Sequence, residues 1–197
     1  MRPGLTEGTS NTHPGQGTAC RRFFFRNAYL ELLWVSDPAE AQSELARPTR
    51  LWERWAQRGH TASPFGIVLR PVEGAPENER PFATWAYHPR YLPPDLAIEI
   101  ARDTPLGEPG LFYLPFATAR EDAGPRAGHG IQTARVTGVT VGLPGPGPRS
   151  PAANSIEALG LVRFLAAEEH LMTVTFDDAR SDGRADLRPD LPLLLRW

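Results

Sequence analysis

The sequence predicts an α+β protein made of many short strands and few, short helices. Three observations carry that prediction. Short apolar runs bounded by turn residues recur along most of the chain, and they outnumber the helical patterns heavily. The 21 prolines and 18 glycines in 197 residues favour turns over long helices. The last third, finally, reads strand, short helix, strand, strand, strand, and the first 35 residues read like the tail of the same unit.

In chain order, TACRRFFF and AYLELLWV predict two strands around a tight turn at Arg26-Asn27. SDPAEAQSELARP predicts a helix with Asp37 as N-cap, Pro38 in first position and Glu40 three residues after the cap. Pro48 interrupts it. Thr49 is expected to cap a second short helix bearing Leu51, Trp52 and Trp55, which Gly59 ends. FGIVLRP, PFATWAY, LAIEIAR and GLFYLPF are strands, with PENER a polar loop and EDAGPRAGHG a linker at the module boundary. VTGVTVGLPG is a strand, Ala152 to Leu159 a helix, and GLVRFLA, HLMTVTFDD and LPLLLRW three more strands.

Composition removes several function classes. Net charge is −2, so nothing draws the chain to nucleic acid or to an acidic membrane. All 21 basic residues are arginine, which rules out Schiff-base, pyridoxal-phosphate and P-loop lysine chemistry. Cys20 is the single cysteine, so no intrachain disulfide forms. Beside Arg21 and Arg22 its thiol has the setting of a low-pKa nucleophile, but a small buried strand residue is the simpler reading. No apolar run approaches the roughly 20 residues of a membrane span, and the polar start MRPGLTEGTSN lacks a signal peptide's apolar core. A soluble cytoplasmic protein is expected.

The wording of HPGQGTACRRFFFRNAYLELLWVSDP, together with FGIVLRP, TWAYHPRYLPP and HLMTVTFDD…DLPLLLRW, resembles the glyoxalase-like proteins of the vicinal-oxygen-chelate superfamily. That resemblance implies paired βαβββ modules forming a curved, cup-like sheet, all in one compact domain. Residues 1–35 would be an incomplete first module holding its second to fourth strands, 36–130 a helical connection with inserted strands, and 131–197 the second module. The first strand and helix of module one are expected to be absent, either lost or excluded by a start codon placed too late. The strand facing that gap would present an apolar edge, one route to a homodimer.

The resemblance also implies a small anionic or aromatic ligand in the cup, and it fixes no reaction. An enzyme, a non-catalytic sequestration protein of the antibiotic-resistance type and an inactive truncated product all stay open. Superfamily members generally bind a metal through His and Glu on the first and fourth strands of each module. Here Glu31 alone matches, and one carboxylate is a poor ligand set for Mn, Fe, Zn or Ni. No cofactor is therefore expected, the open alternative being one of these divalent metals with Glu31 as its ligand.

Strand parity puts Tyr29, Glu31, Leu33 and Val35 on one face, with Leu30, Leu32 and Trp34 on an apolar face packed against helices. The two-residue turn sets Arg22 opposite Glu31, predicting a cross-strand ion pair worth about 0.2–1 kcal/mol. A pocket role for Glu31 is compatible with that pair. His13 lies in the glycine-rich HPGQGT, where backbone N–H groups can approach a ligand. Trp85, Tyr87, His88, Arg90 and Tyr91 form an aromatic box with an arginine, suited to a flat or carboxylated molecule. Glu99 repeats the pattern of Glu31, and the two carboxylates facing one cavity would make an acid/base pair.

Overall fold

A computed structural model describes residues 5–58, 60–76, 79–117, 134–145 and 149–197. Its first sheet follows from the predicted hairpin. β2 (Thr18–Phe24) and β3 (Tyr29–Val35) pair antiparallel, and the Phe25 N–H donates to the Ala28 carbonyl at 2.8 Å to close the Arg26-Asn27 turn. β1 (Asn11–His13) adds to β2 with His13 opposite Thr18, giving an antiparallel sheet in the order β1-β2-β3. β3 is an edge strand of that sheet, and Tyr29, Leu33 and Trp34 on it are 44%, 40% and 39% exposed. An apolar edge strand was expected. Full packing of the Leu30, Leu32 and Trp34 face was also expected, and Trp34 departs from it by staying at the surface.

Asp37 caps α1 (Pro38–Ala41) as the sequence predicts, accepting from the Ala39 and Glu40 N–H groups. A 3-10 turn at Arg47–Thr49 leads into α2 (Leu51–Ala56). Thr49 Oγ1 accepts from the Leu51 N–H at 3.4 Å, but the cap position itself belongs to Arg50, whose φ of 58° is left-handed. Gly59 lies outside the described residues; the helix ends at Ala56 with Gln57 as C-cap.

The central strands β4 (Gly66–Leu69), β5 (Thr84–Tyr87), β6 (Ile98–Ala101) and β7 (Gly110–Tyr113) form a sheet in the order β4-β7-β6-β5. The C-terminal part follows the predicted plan: β8 (Val136–Pro144), α3 (Pro151–Ala158), β9 (Arg163–Ala167), β10 (Leu171–Phe176) and β12 (Leu193–Arg196), with one short additional strand, β11 (Arg184–Asp186). β8 and β9 run parallel because α3 carries the chain back between them, and the sheet order is β11-β12-β10-β8-β9. The linker EDAGPRAGHG lies outside the described residues. The protein is α+β, as the strand count predicts, and its described strands form three open sheets.

One apolar core joins the two larger sheets. Val141, Ile156, Phe176 and Leu195 are fully buried in it, and Leu111 and Tyr113 of β7 pack into the same cluster. The N-terminal hairpin is tied to this body at its turn. The Phe25 ring lies 4.7 Å from that of Phe176, and the Asn27 side-chain amide exchanges two 2.9 Å hydrogen bonds with the backbone of Val136. No described helix is long and apolar enough to cross a membrane.

Candidate functional site

The register of the first sheet gathers polar groups on one face. His13 opposes Thr18, Asn11 opposes Cys20, and Arg22 opposes Glu31, so the side chains of these residues project to the same side. Ligand atoms of His13, Cys20 and Glu31 all lie within 4.8 Å of one another. Cys20 is fully buried at the centre of the group, while His13 and Glu31 are half-buried.

His13 is held by a chain of hydrogen bonds. Tyr91 OH donates to Gln16 Oε1 at 3.1 Å, Gln16 Nε2 donates to Thr18 Oγ1 at 2.8 Å, and Thr18 Oγ1 lies 2.9 Å from His13 Nδ1. The Tyr91 ring also packs against the imidazole at 4.9 Å. Asn11 Nδ2, which can only donate, sits 3.3 Å from Nε2. With the Asn11 amide nitrogen facing the ring, the neutral tautomer that satisfies both contacts carries its proton on Nδ1, directed at Thr18. Burial and the Arg22 charge hold the imidazole's pKa below its usual value, which favours this neutral form.

The electrostatics of the other two groups follow from burial. Burial raises the Glu31 pKa above the usual carboxylate range, with the Cys20 thiol and Arg22 opposing the shift. Burial likewise pushes the Cys20 thiol up to about 11, with Glu31 adding to it, so the neighbouring arginines do not make a reactive thiolate. The predicted Arg22–Glu31 ion pair does not form. The register is the predicted one, but Arg22 Nε donates to the Thr9 carbonyl at 2.9 Å and the guanidinium lies 5.5 Å from the Phe24 ring centroid.

Tyr87 contributes from the central sheet. Its side chain is 2% exposed, its hydroxyl has no hydrogen-bond partner among the described residues, and its proximity helps raise the Tyr91 pKa. Trp85 lies beside Tyr87 with ring centroids 6.1 Å apart, but it also lines a separate cavity on the α2 side of the sheet. His88 and Arg90 are exposed. Arg90 lies over Gly15 and, with Glu40 and Ser43, borders an open depression of about 600 Å³.

Two further expectations are corrected. Glu99 accepts from Thr84 Oγ1 at 2.6 Å and pairs with Arg80 at 3.6 Å. Opposite Ala86 in the β5–β6 ladder, it projects to the face away from Trp85 and Tyr87. It does not join Glu31 in one cavity. The glycine loop is also spoken for: the Gly15 N–H donates to Glu40 Oε2 at 2.7 Å, so the protein's own carboxylate occupies the anion-facing amide.

Cys20, Thr18 and Gln16 are the members of the group that the sequence does not mark as site residues, and Tyr91, expected in the aromatic box, instead packs on His13. Parity around the Arg26-Asn27 turn was the available signal for Cys20, since it puts residues 18, 20 and 22 on the Glu31 face. Comparison with known protein families, curated proteins and solved structures finds no match.

Proposed function

We propose that this chain is a glyoxalase-like protein that binds a small anionic or aromatic molecule over the β1–β3 face, together with a divalent cation held by His13, Cys20 and Glu31. The convergence of those three side chains within 4.8 Å supports this reading. Metal–ligand bonds of about 2.0–2.3 Å mean that atoms sharing one ion lie within about 4.6 Å of each other. The spacing found is within a few tenths of an ångström of that. The donor chemistry also suits a borderline-soft ion such as zinc or nickel: an imidazole whose Nε2 an ion would take over from the exposed Asn11 amide, a sulfur and a carboxylate. Thr18 would serve as the outer partner that fixes the imidazole's orientation. A bound cation would supply Lewis-acid polarisation of an oxygen on the ligand.

Titration of chelator-treated protein with Zn²⁺ by calorimetry tests the reading. One ion per chain is expected, with binding abolished in Glu31→Gln and His13→Ala. Co²⁺ should give a thiolate charge-transfer absorption that disappears in Cys20→Ser. Binding that ignores all three substitutions, or no binding at all, overturns it.

The raised thiol pKa favours a second reading, in which the cluster keeps its proton and the ligand is held without an ion. Tyr87, Tyr91 and Arg22 then make the contacts, as in a sequestration protein. Catechol binding to chelator-treated protein, lost in Tyr91→Phe, would select this reading.

A further inference from the structure

We propose a second ligand site, for a small carboxylate with an apolar body, in the cavity between the Arg47–Thr49 turn with α2 and the outer face of the central sheet. The cavity measures about 260 Å³. That falls below the range of about 300–1,000 Å³ typical of drug-sized ligands, so its occupant is small. Trp85, Ile100 and Phe112 supply an apolar wall, and Arg50 and Arg102 supply the charge.

Each of these arginines spends one donor on the protein. Arg50 Nη1 donates to the Thr104 carbonyl at 3.3 Å, and Arg102 Nε donates to the Thr84 carbonyl at 2.7 Å. Both arginines are exposed, and their remaining guanidinium N–H groups have no protein partner among the described residues. Thr104, 8% exposed and part of the same wall, has a buried hydroxyl without a hydrogen-bond partner among the described residues. A carboxylate accepts from two guanidinium groups and a hydroxyl at once, and charge-assisted bonds of this kind are the strong ones. Arg54 also borders the cavity, although its guanidinium is engaged with the Pro105, Leu106 and Glu108 carbonyls. Against these three positive charges the lining holds one carboxylate among the described residues, that of the exposed Asp103.

Arg50 and Asp103 both adopt left-handed conformations, with φ of 58° and 55°, and both border this cavity. Such a conformation is unfavourable for arginine, and strain of this kind concentrates at ligand sites.

This inference is independent of the cluster on β1–β3, and one set of titrations separates the two. Benzoate is the probe, with benzyl alcohol and inorganic phosphate for comparison, followed by calorimetry or by shifts of the Trp85 indole resonance. The full chain is expected to bind benzoate and not benzyl alcohol. Arg102→Gln and Thr104→Val should each retain the wild-type melting temperature. Arg102→Gln is expected to weaken benzoate by about tenfold or more, and Thr104→Val by a smaller factor, while Glu31→Gln leaves it unchanged. Loss of binding in Glu31→Gln with retention in Arg102→Gln would move the carboxylate to the other site. Phosphate binding as tightly as benzoate, or no benzoate binding at tens of millimolar, would equally overturn the proposal.

Discussion

Arg22 stands directly opposite Glu31 in the β2–β3 ladder, yet its guanidinium turns away to the Thr9 carbonyl and the Phe24 ring. Glu31 is left half-buried beside the Cys20 thiol without a contacting cation, and burial raises its pKa. The folded state therefore holds that proton more tightly than the unfolded chain. By linkage, the contribution of Glu31 to stability is greatest below its unfolded pKa, near 4.3, and is lost as pH rises through the folded value. Glu31→Gln is expected to raise the melting temperature at pH 7, with the gain shrinking towards pH 4. An equal gain at both pH values would show that ionisation is not the cause.

Cys20 should be silent in the native protein. Fully buried and with its thiol near pKa 11, it carries about 300-fold less thiolate at neutral pH than a free cysteine of pKa about 8.5. Iodoacetamide at pH 7.5 is expected to label it at least that much more slowly than it labels the urea-unfolded chain. Equal rates would mean that the β1–β3 face opens readily.

Asn27 acts as an extra strand residue, since its amide both donates to and accepts from the Val136 backbone. Asn27→Ala leaves both Val136 groups unpaired in a half-buried setting. A loss of about 1–3 kcal/mol is expected in urea unfolding. Asn27→Asp keeps the acceptor and should recover part of it. Wild-type stability in the alanine variant would show that water replaces the amide.

Gly17 sets how closely the β1–β2 turn meets α1. Its φ is +72°, and an added Cβ would lie 2.3 Å from the Asp37 carbonyl oxygen and 2.6 Å from the Ala41 nitrogen. The Gly17 carbonyl also accepts from the Ser36 and Asp37 N–H groups. Gly17→Ala should cost about 1–3 kcal/mol in strain alone and displace His13, which lies in the same turn. Unchanged zinc affinity combined with lowered stability would separate the fold role of Gly17 from its influence on the site.

Buried Glu108 accepts from the Ser150 N–H at 2.8 Å and from Ser150 Oγ at 2.5 Å, and Ser150 in turn caps α3. Glu108→Ala is expected to cost about 1.5–3 kcal/mol in urea unfolding, since each bond involves a carboxylate. A loss below 0.5 kcal/mol, on the order of an exposed pair, would mean that the cap holds without it.

Elements whose signals are local could be read from the residues alone. The Arg26-Asn27 hairpin and its register, the Asp37-Pro38 helix start, and the strand–helix–strand–strand–strand order of the last third each follow from turn chemistry, capping or side-chain period. These act over a few residues and need no distant partner. The site was legible only in part. Strand parity exposed the Glu31 face, but it could not say that Arg22 would reach Thr9, because a long side chain chooses among partners supplied by other segments. Nor could spacing show Tyr91, some 75 residues beyond Gln16, closing the hydrogen-bond chain that holds His13. Those contacts come from packing between distant segments, and with them a lone cysteine, a loop histidine and a strand glutamate meet. Burial then fixed their ionisation, since the pKa of each depends on the water excluded by residues far along the chain.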